Sequence, residues 1–104
     1  MANKDQIQRI TRYETMMDRV AASNRALEKA LDLFEKTEEM RAELSRYLSS
    51  EDWMKDFCDD EEGLLPKDLK RGVLSEDGLY DTLNERNDLY GRMLGVGKAF
   101  FEKK

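Results

Sequence analysis

Seven carboxylates crowd into twelve residues, Glu51, Asp52, Asp56, Asp59, Asp60, Glu61 and Glu62, with Lys55 the one cation among them. Such a run invites a divalent cation. An EF-hand loop with Gly63 at its sixth position would need ligands at Cys58, Asp60, Glu62 and Leu69. Cys58 and Leu69 cannot supply the carboxylates that the first and last positions demand. What is left is at most a weak surface calcium site, against the plainer reading of solvated helix-end carboxylates. The chain has no histidine, which removes Ser-His and Cys-His catalysis, imidazole-ligated zinc and the Glu-x-x-His pairs of di-metal bundles. Paired carboxylates can also hydrolyse glycosides. With 23 acids in 104 residues, however, any spacing can be found, and no cleft is implied. No cofactor is expected.

Three other candidates are narrower. Cys58, flanked by Asp56, Asp59 and Asp60, is poorly placed for thiolate chemistry and reads as a small packing residue. Gly97-Lys98 hints at a phosphate loop, but Arg92 and Ala99 stand where that pattern needs Gly and Ser or Thr. Lys67, Lys70 and Arg71 form a basic knot beside Gly72, directly after the acidic run. It either clasps phosphate or a partner's carboxylates, or bridges internally to the neighbouring acids and holds the loop. Trp53 and Phe57 lie on one side of the short helix that carries the acids. A Trp there can anchor an interface as readily as a core.

These side chains need elements to position them, and the composition says which. A single Pro, six Gly and long stretches of good helix formers make helix the default. One helix is expected over about 4–48. Its apolar residues Ile10, Tyr13, Met17, Val20, Leu27, Leu31 and Phe34 recur at heptad spacing, with Asn24 in the one polar slot. Beyond Phe34 the strict repeat would land on Glu38 and Arg41. The stripe instead continues through Leu33, Met40, Leu44 and Tyr47, a slip like a stutter. A short helix follows over about 50–60, with Ser49 as N-cap and Gly63 as terminator. A helical turn over 66–71 is opened by Pro66 and closed by Gly72. The last helix spans about 76–101, with Ser75 as cap, Glu76 and Asp77 at the positive end of its dipole, and Leu74 stapled to Leu79.

The fold expected is all-α, a helical bundle in one domain. The long N-terminal helix packs antiparallel against the C-terminal helix, with the short helices between. Asn24 would then pair with Asn87. About 45 residues of helix reach about 65 Å and 26 reach about 40 Å, so the last helix alone cannot cover the first. Either the middle helices fold back over the remainder, or a second chain covers it as a homodimer.

The stretches SSEDWMKDF (49–57) and GLLPKDLKRGVLSEDGLYDTL (63–83) resemble a small bacterial family known as domain of unknown function 4298. The resemblance extends over nearly the whole chain in helix layout. It is specific in Trp53 and from Leu65 to Leu83, and loose in the long first helix. It implies a bacterial helical protein of unassigned activity and carries over no catalytic or ligand residues.

The net charge of −5 comes from the acidic segment, which alone sums to −6. The nearly neutral remainder argues against direct nucleic-acid binding. No apolar run approaches the roughly 20 residues that span a bilayer, and Met1–Ile10 has no secretory signal region. A single cysteine fits the cytoplasm. The expected function is a non-enzymatic protein-interaction module that binds a protein partner or itself. The alternative is an acidic regulator that occupies a basic groove on a partner.

Overall fold

The computed structural model describes residues 3–75 and 77–103. Among them are four α-helices and no strand: α1 Lys4–Lys36, α2 Glu38–Leu48, α3 Glu51–Glu61 and α4 Gly78–Glu102, with a 3-10 turn at Gly72–Leu74 between the last two. The expected all-α class, with a long helix at each end and short ones between, is what the chain adopts. It divides into two compact units, residues 1–38 and 39–104.

The first unit is α1. Asn3 caps it, its side chain accepting a hydrogen bond from the Gln6 amide at 2.7 Å, and Asp5 sits in the first turn beside the positive dipole end. The rod is unbroken from Ile10 to Phe34, but it does not run on to residue 48. It ends at Thr37, which has φ −91° and ψ 1°. The Thr37 hydroxyl donates to the Phe34 carbonyl at 3.0 Å. This is where the apolar repeat slips. A β-branched residue that bonds its own preceding turn gains nothing from continuing a helix whose next seam positions are Glu38 and Arg41. The slip therefore marks a boundary between two helices, not a rotation within one. No residue of α1 is buried. Asn24 and Asn87 are both exposed.

The second unit holds the buried leucines. Ser50, not Ser49, caps α3, its Oγ accepting from the Trp53 amide at 3.1 Å and donating to the Tyr47 carbonyl at 2.6 Å. The Ser49 and Ser50 amides are used to close α2, bonding back to Arg46 and Tyr47. Gly63 ends α3 as expected. At φ +74° it adopts the left-handed conformation of a Schellman cap, with the Gly63 amide on the Asp60 carbonyl and the Leu64 amide on that of Asp59. Over 66–71 there is no helix, only one turn closed by the Leu69 amide on the Pro66 carbonyl. Gly72, expected to end a helical turn, opens the 3-10 turn.

Ser75 caps the next turn, its Oγ accepting from the Gly78 amide at 3.2 Å, although α4 begins only at Gly78. The expected contribution of Glu76 lies outside the described residues. Leu74 and Leu79, 6% and 4% exposed, are the buried side chains among the described residues. Half-buried Leu44, Leu48, Trp53, Phe57, Leu65 and Leu83 accompany them in this unit. The 3-10 turn packs on both α3 and α4. Each of the two buried leucines contributes on the order of 2 kcal/mol, so this is a small core.

Candidate functional site

Two surfaces qualify, one in each unit. In the second unit, the middle segment gathers the residues that the sequence singles out. Trp53 reaches from α3 to the 3-10 turn, its indole N–H donating to the Val73 carbonyl at 2.9 Å. Its ring stacks on Phe57 with centroids 5.1 Å apart and planes 17° from parallel. Both aromatics are half-buried. They pin the turn to the helix.

Arg71 is likewise turned inward. Its guanidinium pairs with the Asp60 carboxylate and donates to the carbonyls of Pro66 and Leu69. One side chain thus ties the end of α3 to the loop after it, satisfying two carbonyls that no helix serves. Lys67 and Lys70 are exposed and form no ion pair among the described residues. The basic knot is therefore split, with one member closing the loop and two in solvent. Beside Lys70 lies a shallow, open groove, lined also by Leu44, Gly72, Val73, Leu79 and Thr82.

The acids are largely occupied close to home. Asp60 holds Arg71 and Asp59 pairs with Lys55 at 3.0 Å. Asp56 accepts a 2.6 Å hydrogen bond from the Tyr47 hydroxyl. Glu51 and Asp52 sit in the first turn of α3, where a negative charge meets the helix dipole. Partial burial, then the Asp56 carboxylate, push the Tyr47 hydroxyl up to about 12. It stays a hydrogen-bond donor at neutral pH. The Lys55 ammonium is also raised, by its bond to Asp59 and that carboxylate's charge. No group of three or more Cys, Asp or Glu among the described residues is arranged to hold a metal ion. Cys58 is exposed, not packed as its spacing suggested.

Sequence reasoning missed two features of this segment. One is the Tyr47–Asp56 bond, since hydrogen bonding between α2 and α3 has no periodic signal. The other is Gly78, where an added Cβ would lie 3.1 Å from the Gly72 carbonyl oxygen. A glycine three residues after a capping serine was the available cue.

The second surface is the seam of α1. Ile10, Tyr13, Met17, Val20 and Leu27 are each more than half exposed, Met17 and Val20 at 59% and 60%, and Leu31 is 37% exposed. Beside the seam the Arg12 guanidinium stands 5.7 Å from the Tyr13 ring centroid.

No helix among the described residues is long and apolar enough to cross a membrane. No curated protein and no solved structure matches the chain. The profile of a domain of unknown function, DUF4298, matches residues 10–96, from the first residue of the α1 seam to Val96 in α4; the chain belongs to that family.

Proposed function

We propose that this protein is a non-enzymatic helical interaction module of the bacterial cytoplasm, which takes a helix of a protein partner, or of a second copy, along the apolar seam of α1. One observation carries the reading: a 33-residue helix with a heptad stripe and no buried residue. An isolated helix owes little of its stability to propensity and most to burying its apolar face. Covering Ile10, Tyr13, Met17, Val20, Leu27 and Leu31 would yield on the order of 10 kcal/mol, a gain of the same order as the ~4–15 kcal/mol that association costs. Recognition of this kind needs no cofactor and no nucleic acid. The bacterial setting rests on the family resemblance, and the cytoplasmic one on the lone, unpaired Cys58.

The alternative, an acidic regulator seated in a basic groove, is the weaker reading. Asp56, Asp59 and Asp60 are engaged by Tyr47, Lys55 and Arg71, so docking them elsewhere would first break contacts that hold this unit together.

Site-specific photo-cross-linking in cells separates the two. A photoreactive residue at Val20 is expected to form adducts with a protein chain. Those adducts should vanish when Met17→Glu and Leu27→Glu are added, and persist when Glu61 and Glu62 are changed to Gln. Absence of adducts, or adducts indifferent to the seam and dependent on the acids, would overturn the proposal.

A further inference from the structure

Resting on that interaction reading, we infer that the helix covering the seam is α1 of a second copy of this chain, lying parallel and in register. Three observations carry this. The first is size. Seven exposed seam positions from Ile10 to Leu31 in each chain, at on the order of 100 Å² apiece, would bury about 1,400 Å² between two copies, within the range of a specific interface.

The second is the polar slot. With Ile10, Met17, Asn24 and Leu31 at the a positions and Tyr13, Val20, Leu27 and Phe34 at d, Asn24 is the single polar residue of the seam. In a parallel, in-register pair each Asn24 meets its own copy, and the two amides can donate to and accept from one another. In the fully overlapped antiparallel pair Asn24 faces Val20, and a buried amide goes unsatisfied. A lone Asn at an a position is the device by which parallel two-stranded coils fix their register.

The third is charge. The positions flanking the seam are acidic on one side, with Glu14, Glu28 and Glu35 at e, and carry Arg9 at g. The parallel arrangement sets Arg9 of each chain against Glu14 of the other, twice by symmetry, and brings no like charges together. The antiparallel one sets Glu14 against Glu28, also twice, and is repulsive. Arg9 and Glu14 are exposed and form no ion pair among the described residues, so both are free to serve.

The test uses the full chain with Cys58→Ala, which removes the native thiol. Light scattering should return twice the 12.2 kDa chain mass. Under mild oxidation Ile10→Cys should cross-link to itself, because only a parallel, in-register pair brings two Cα atoms at the end of the seam within disulfide reach. Thr15→Cys, on the outward face, should remain uncross-linked. A monomeric mass at every concentration would overturn the inference, as would a dimer in which Ile10→Cys links no better than Thr15→Cys. A disulfide formed between Ile10→Cys and Phe34→Cys in a mixture of the two variants would do so too, by establishing the antiparallel pair. The two levels fail separately. Adducts from Val20 to a different protein would sink self-pairing and leave the interaction reading standing, whereas no adducts at all would remove that reading.

Discussion

Arg71 and Lys70 are neighbours in sequence and opposites in consequence. Arg71 and its partner Asp60 are 32% and 19% exposed at their side chains, so solvent screens the pair only in part, and the guanidinium also holds two carbonyls. Arg71→Ala should destabilise the chain by about 1–2 kcal/mol, whereas Lys70→Ala, which removes an exposed ammonium, should stay within about 0.5 kcal/mol. Urea unfolding of the two variants checks this, and equal losses would contradict the division of the basic cluster. The two roles open to that cluster were legible from the proximity of three cations to seven acids. Which cation bridges inward was not, because that depends on the turn after Gly63 aiming residue 71 back at α3. Trp53 shows the same limit. Its type marks it as an anchor, but only the position of the Val73 carbonyl makes it an anchor within the chain.

At the scale of elements, Gly63 as the terminator of α3 and Ser75 as a capping side chain were readable, because each acts through local bonds that its type and near neighbours dictate. The Ser49–Ser50 pair was misread by one residue because both can cap, and the closing bonds of α2 decide between them. Thr37 was harder, since the apolar slip there is equally compatible with a rotated helix face and with a break. The second half of α4 offers a test at this scale. A Cβ added at Gly91 or Gly95 would meet nothing within 4 Å, so Gly91→Ala and Gly95→Ala should each stabilise by about 1 kcal/mol through helix propensity alone. Thermal melts read this directly. Lower midpoints would reveal a close-packed surface on α4 and argue against placing the interface on α1.

For the whole molecule, periodicity and composition were sufficient for the all-α class and the order of long and short helices. They also located the seam. A heptad stripe says that an apolar edge must be covered, but it is silent on whether the cover comes from the same chain or another, because both satisfy the same spacing. Among the described residues the buried side chains belong to the second unit, and the first unit is a helix with an exposed stripe. The family whose model matches residues 10–96 has no assigned activity, so function is sought in what the stripe meets.

Hydrogen exchange along α1 addresses that most directly. A bare helix opens at little cost and protects its amides poorly, whereas one docked on another is held closed by the free energy of the contact. Purified full-length protein should show slow exchange from Ile10 to Leu31. Val20→Glu with Leu27→Glu should accelerate exchange in α1 while leaving α3 and the first turns of α4 unchanged. Rapid exchange throughout α1 in the unsubstituted protein, or protection that these substitutions do not disturb, would contradict the assignment of the seam as the surface through which this protein acts.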